Sequence, residues 1–201
     1  MPKIVDHRAR RRQIAEAVLR VTATRGLESV SLRDVAAEGG ISMGLVQHYF
    51  RSKDQMLLFA CEYLIERTNQ RIAERIAASS TPQTGRSFLR TLLAEILPLD
   101  EERRAGTRVW VAFLARAAVE PELERFMRDT WTNSHNYFAG VIRAAQERGE
   151  IAPERDPQRE AVSVFALTDG LVSHILMGHY SNETALRALD DYLDHLFGTE
   201  S

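Results

Sequence analysis

Residues 41–53 read ISMGLVQHYFRSK, and their side chains suit the reading of nucleic acid better than catalysis. Gln47 carries an amide able to make paired hydrogen bonds to adenine in a major groove. Gly44 lets a partner approach the backbone, while Tyr49 and Lys53 have the reach and donors for phosphates. Ser42, Met43 and His48 complete the outer rim around them. Catalytic chemistry has weaker candidates. His174 and His179 are five residues apart and do not share a helix face as an HExxH pair does. His7, His48, His135 and His195 have no Cys or His neighbours at zinc spacing. There is no glycine-rich phosphate loop, and Asp190 and Asp191, being adjacent, point apart on a helix. Cys61, the single cysteine, reads as a small core residue and fits a reducing compartment. No catalytic residue, metal or cofactor is expected, and a helical enzyme is the alternative of a different class.

A helix of two turns is unstable alone, because nucleation costs more than so few hydrogen bonds return. Ile41, Val46 and Phe50 are spaced to face inward and hold residues 43–49 on their neighbours. Upstream, Ile14, Ala17, Val18 and Val21 follow helical spacing, with Gly26 as the stop. Ser31 can cap a second helix that turns Leu32, Val35 and Ala36 inward, with Asp34 at the capping-box position. Gly39-Gly40 ends that helix, and Ser42 caps the short one. Helix, glycine turn, helix is the helix-turn-helix unit. A long helix then opens at Ser52 or Lys53 and carries Met56, Leu57, Phe59, Ala60, Leu64 and Ile72.

Beyond residue 80, Pro82, Pro98, Pro121, Pro153 and Pro157 fall between apolar periodic segments, where a missing N–H does least harm. Helices are predicted near 84–97, 101–118, 122–148, 157–180 and 183–197. No stretch alternates with strand period. The fold class is all-α, with about nine helices: a three-helix helix-turn-helix domain over 1–53 and a helical domain over 54–201.

The chain is 44% hydrophobic and 27% charged, ordinary globular values. No run approaches the roughly 18 apolar residues of a membrane span, and the basic N-terminus lacks the apolar segment of a secretory signal. A cytoplasmic location is expected. Residues 1–53 hold ten basic and five acidic residues, net +5, while the remainder holds sixteen and twenty-three, net −7. A basic head on an acidic body points to a polyanion held at one end, although a solvated basic tail has the same composition.

The stretch SLRDVAAEGGISMGLVQHYFRSKDQML resembles the DNA-binding domain of the TetR family of bacterial transcriptional repressors, above all in Gly40-Ile41-Ser42, His48-Tyr49-Phe50 and Ser52-Lys53. The segments RRRQIAEAVL, LPLDEERRAGTRVWVAFLARA, FALTDGLV and ALRALDDYLDHL are similar to the branch containing the choline-sensing repressor of betaine synthesis. The resemblance implies double-stranded DNA as partner. It puts the residue at Arg33 near a base or phosphate and that at Ser31 near a phosphate. Met43, Gly44 and Gln47 would approach bases, and Ser42, His48, Tyr49 and Lys53 the backbone. Gln47 departs from the Tyr common in the family, and Gly39 from a commoner Ala, which would loosen the turn. Arg8 to Arg12 read equally as a loose arm or one tracking phosphates.

One such reader spans few base pairs, so a homodimer on a pseudo-palindromic operator is expected. The predicted dimer face comprises Phe165, Thr168, Leu171, Val172 and Ile175 with Leu186, Leu189, Leu193 and Leu196. Gly170 and Gly178 would allow close approach. The same stripes read equally well as intrachain core, and the resemblance tips them toward a four-helix seam. It further implies a small-molecule effector bound among the aromatics of the body, with Trp110, Phe113, Trp131, His135, Tyr137 and Asp169 as candidate contacts. The residues leave open a repressor, an activator or a multidrug-type sensor on the same scaffold.

Overall fold

The computed structural model describes residues 7–78 and 84–198. These form nine α-helices and one 3-10 turn, with no strand among the described residues. In order they are α1 (His7–Arg25), the turn Leu27–Ser29, α2 (Leu32–Gly39), α3 (Met43–Tyr49), α4 (Lys53–Ala77), α5 (Gly85–Ile96), α6 (Glu101–Ala117), α7 (Pro121–Glu147), α8 (Pro157–Leu176) and α9 (Asn182–Phe197). The predicted helices are present. Pro82 and Lys3 lie outside the described residues. No helix among those described is long and apolar enough to cross a membrane.

The chain divides into two compact units, one of residues up to Arg67 with Ala105–Glu124 and one of Thr68–Arg104 with the residues from Arg125 onward. In the first unit α1 packs on α2 and α2 on α3. Its buried side chains include Ile14, Val18, Val21, Val35, Val46, Phe50, Met56, Leu57, Val109 and Phe113. Cys61 is fully buried there, and burial pushes its thiol up to about 12, with the neighbouring Glu62 acting in the same direction. The native state therefore favours the neutral thiol. Its stabilising contribution is complete below the ordinary cysteine value and is lost as pH rises from about 9 to about 12. Cys61 is expected to resist a thiol reagent in the native protein and to react on unfolding, with stability to urea declining above pH 9. Rapid native-state labelling would contradict this.

In the second unit α8 packs on α9, and α5 on both. The core is built from Leu89, Leu93, Leu97, Ile142, Val164, Ile175, Leu189 and Leu193 with their neighbours. α8 starts on an Asp156 cap followed by Pro157, whose missing N–H is harmless at that position. It ends at Leu176 and not near 180 as predicted. Gly178 adopts a left-handed φ of 70°, and the N–H groups of His179 and Tyr180 turn back to the carbonyl of His174. Gly178 is thus a terminator, not a point of close helix approach.

Gly85 is a point of close approach. An added Cβ would lie 2.8 Å from that of Ala145 and 2.7 Å from Glu150 Oε2, which already accepts the Gly85 N–H at 2.5 Å. Gly85→Ala is expected to cost about 1–3 kcal/mol by overpacking, seen as a lowered Tm. An unchanged Tm would show that α5 can shift freely.

The second half of α4 is held by charge. Glu95 of α5 is 4% exposed and receives Arg71 Nε at 3.0 Å, Arg75 Nε at 3.0 Å and Arg103 Nη1 at 3.2 Å. Arg71 and Arg75 lie on α4 and Arg103 on α6, so one carboxylate joins three helices of this unit.

Candidate nucleic-acid interface

α2 ends as the two glycines require. Gly40 takes a left-handed φ of 61°, and the N–H groups of Gly40 and Ile41 satisfy the carbonyls of Ala37 and Ala36. Gly39 does not loosen this turn: its carbonyl is held by Gln13 Nε2 at 2.9 Å, and a Cβ there would meet Ala17 at 3.4 Å. Ser42 caps α3 by accepting the Leu45 N–H at 3.2 Å. Val46 and Phe50 are buried, and the Arg11 guanidinium covers the rings of Phe59 at 4.1 Å and Phe50 at 5.3 Å. Tertiary packing supplies the stability that α3 lacks by itself.

The opposite face is open. Met43 is 46% exposed, and Gly44, Gln47 and His48 are exposed beside it. Met43 and Gln47, four apart, share one side of the helix, with Gly44 and His48 on the next. A Cβ at Gly44 would meet nothing within 4 Å. Tyr49, half-buried, has its hydroxyl 3.0 Å from His7 Nδ1 and its ring edge-on to His48. Ser52, not Lys53, caps α4: its hydroxyl accepts the Gln55 N–H while the Gln55 amide accepts that of Arg51. Lys53, in the first turn, is left half-exposed.

Hydrogen bonding separates the two predicted serine contacts. Ser31 accepts the Asp34 N–H and gives its hydroxyl proton to the Asp34 carboxylate. That bond, then Arg25, holds the Asp34 carboxyl below its usual range. The support it lends to the α2 cap is present above the ordinary aspartate value and is lost as pH falls through the lower native one. Ser31 must release Asp34 to donate to a phosphate, whereas the Ser42 proton is uncommitted.

The positive charges separate as well. Arg8 and Arg12 pair with Glu66, Arg20 with Glu38 and Arg25 with Asp34. Residues 8–12 belong to α1, so they are not a loose arm. Arg33, Arg51 and Lys53 make no ion pair among the described residues, and Arg10 meets only Gln13. The sequence offers Arg10 only as part of the Arg8 to Arg12 run, and Arg51 not at all. Nothing in their spacing distinguishes them from arginines whose partners lie elsewhere in the chain.

In the body, burial divides the predicted dimer face. Thr168, Leu171, Val172, Ile175, Leu189, Leu193 and Leu196 are buried by their own chain, and Phe165 and Leu186 are packed against that core. The first seven have little surface left for a partner, whereas Phe165 and Leu186 are only partly buried and keep some. The uncovered side of α8 carries Val162, Ala166, Asp169, Gly170 and Ser173. The candidate effector residues are divided between the units. Trp110 and Phe113 belong to the first, where Phe113 is fully buried and presents no surface. Trp131, His135, Tyr137 and Asp169 belong to the second. There His135 packs edge-on to Phe165 at 4.8 Å, Phe165 to Phe138 at 4.9 Å and Phe138 to Tyr137 at 5.9 Å. Asp169 keeps an exposed edge, yet its surroundings push its carboxyl up, with His135 acting in the other direction. A cleft of about 50 Å³ lies between Asp54, Leu58, Arg116, Glu120, Glu122 and Leu123 in the first unit. It admits a water-sized molecule, far below the few hundred Å³ of a typical ligand pocket.

Comparison with known proteins decides what the exposed helix belongs to. Residues 14–59 match the tetR family of bacterial regulatory proteins, and residues 85–198 match the BetI-type transcriptional repressor C-terminal family. The chain belongs to the TetR family. Its body is of the BetI type, and it is a transcriptional regulator, not an enzyme. It is 35% identical over 181 residues to the HTH-type transcriptional regulator PksA of Bacillus subtilis, covering 88% of this chain and 83% of that one. It is 26% identical over 196 residues to the BetI regulator of Yersinia pestis, covering 96% of each. Among solved structures, a transcriptional regulator from Rhodococcus is similar with a TM-score of 0.79 at 30% identity, over 94% of this chain and 96% of that one. A regulator from Saccharomonospora viridis, solved in complex with choline, gives 0.82 at 26% identity over 94% and 97%.

Proposed function

We propose that this TetR-family regulator represses transcription by binding a pseudo-palindromic operator as a homodimer and leaves it when a small molecule occupies the body. The observation that carries this reading is α3 itself, anchored by Val46 and Phe50 with Met43, Gly44, Gln47 and His48 turned to solvent. Gln47 reads a base edge, and Ser42, Tyr49, Lys53, Arg33 and Arg51 hold phosphates. The BetI and PksA relatives support regulation by DNA binding in the cytoplasm, where the DNA is.

Dimerisation through the uncovered side of α8 suits its residues. Val162 is 56% exposed, and Ala166, Gly170 and Ser173 are small enough for a second helix to lie close. Sedimentation as a monomer at micromolar concentration would remove that element. Choline in the Saccharomonospora regulator supports a small-molecule effector here, and the rings of Phe165 and Tyr137 with Asp169 would suit a cation. Calorimetry with choline tests this branch, and absence of heat at millimolar choline excludes it.

The central test is fluorescence anisotropy with DNA from upstream of the gene against a scrambled fragment at two salt concentrations. A preference of about a thousandfold or more is expected. Gln47→Ala is expected to lose about 1–3 kcal/mol on the operator only. Lys53→Ala would instead weaken both fragments and flatten the salt dependence. Equal loss of both fragments in Gln47→Ala would remove its base-reading role.

A further inference from the structure

His7 and Tyr49 are 42 residues apart in sequence, yet His7 Nδ1 lies 3.0 Å from the Tyr49 hydroxyl, with the ring centroids 5.8 Å apart. The first residue of α1 thus touches the last residue of α3. From the other side, the His48 ring meets Tyr49 edge-on at 5.2 Å.

A phenol has one proton to donate and a phosphate diester has only acceptors. Tyr49 therefore serves a phosphate by donating its O–H. If Nδ1 is unprotonated, it takes that proton itself and leaves Tyr49 with no donor. If Nδ1 bears hydrogen, it donates to the phenolic oxygen and frees the O–H for the phosphate. In the imidazolium both ring nitrogens carry hydrogen, so this arrangement is enforced, and the added positive charge is favourable beside DNA.

We infer that His7 is a positioning residue for DNA binding, which through its hydrogen bond orients the Tyr49 hydroxyl toward a phosphate and makes operator binding take up a proton. This rests on the reading of α3 as the DNA reader. Imidazole is the side chain that exchanges a proton near neutral pH, so pH is the variable that tests this arrangement. Next to His7 on α1 come Arg8, Arg10, Arg11 and Arg12, α3 brings Tyr49 and His48 to it, and Glu66 of α4 is the acid that meets Arg8 and Arg12. Glu66 is engaged by Arg8 and Arg12, and Arg11 lies over Phe59 and Phe50. Tyr49 is the group hydrogen-bonded to His7 at Nδ1.

The test is operator affinity by anisotropy at pH 6, 7 and 8 and constant ionic strength, for the full-length chain and for His7→Gln, His7→Ala, Tyr49→Phe and His48→Gln. The parent is expected to bind about three- to tenfold more tightly at pH 6 than at pH 8, as uptake of up to one proton allows. His7→Gln retains an N–H donor that does not titrate, so it should bind at every pH with a flat profile. His7→Ala should give a flat profile weaker than the parent at pH 6, and Tyr49→Phe should be weak and flat. Melting of each variant at pH 6 and 8 identifies any that fails to fold. A pH slope unchanged in His7→Gln overturns the inference, as does one that survives there and vanishes in His48→Gln. A parent chain that binds no upstream DNA at any pH overturns the proposed function and this inference together. A parent that binds with no pH slope overturns this inference alone.

Discussion

Glu95→Ala is expected to lower the unfolding free energy by about 3 kcal/mol. The carboxylate is 4% exposed and is the common acceptor for Arg71, Arg75 and Arg103. Removing one member of a buried ion pair costs about 3–5 kcal/mol, because the partner's charge is left uncompensated. The three arginines do not contribute equally. Arg75 is 62% exposed and recovers hydration readily, so its share is small. Arg103 is 11% exposed, and it retains Asp100 at 2.8 Å and the Ala94 carbonyl at 3.1 Å. Arg71, 30% exposed, retains the Glu95 backbone carbonyl. These residual contacts put the expectation at the lower end of the range. Urea unfolding at pH 7 measures it, and the double variant Glu95→Ala/Arg103→Ala should recover part of the loss. A loss below about 1 kcal/mol would mean that apolar packing by Ile72 and Ile76 suffices to hold α4 in this unit.

Phe50→Ala is the second large effect, and it separates folding from function. Phe50 is 1% exposed, its ring 5.5 Å from that of Phe59 and under the Arg11 guanidinium. Truncating a buried phenylalanine costs about 3–5 kcal/mol, the spread reflecting how far the site collapses. α3 has seven residues and few hydrogen bonds of its own, so the loss falls on the reader. Specific DNA binding is expected to disappear at temperatures where most helical circular dichroism persists, since the core of the second unit does not contain Phe50. Phe50→Leu should restore much of the binding. Operator affinity unchanged in Phe50→Ala would show that the ring does not hold α3.

The reader was legible because its signals are local. Ser31, Ser42, the glycine pair and the spacing of Val46 and Phe50 lie within one short stretch, and each specifies its neighbours' backbone directly. The side that faces outward follows from the same period, so Met43, Gly44, Gln47 and His48 are where that period puts them. Partners drawn from distant sequence were not legible. That Ser31 spends its proton on Asp34 depends on a rotamer. That Arg8 and Arg12 share Glu66, while Arg10, Arg33 and Arg51 have no ion pair among the described residues, depends on where Glu66, Glu38 and Asp34 end up in space. His7 sits in a basic run with no periodic signal, and its contact lies 42 residues away.

In the body, sequence by itself determined that α8 and α9 carry apolar stripes and where their helices begin. A stripe records that a face is covered, not what covers it. The tertiary structure assigned Leu171, Val172, Ile175, Leu189 and Leu193 to the chain's own core and left Val162, Ala166, Gly170 and Ser173 uncovered. Secondary structure, caps and the outward face of α3 were determined locally, because backbone hydrogen bonding and helical period act over three or four residues. Which charges are spent, which apolar face is free and which carboxylate joins three helices were decided only by packing. Those outcomes depend on atoms brought together from remote parts of the chain.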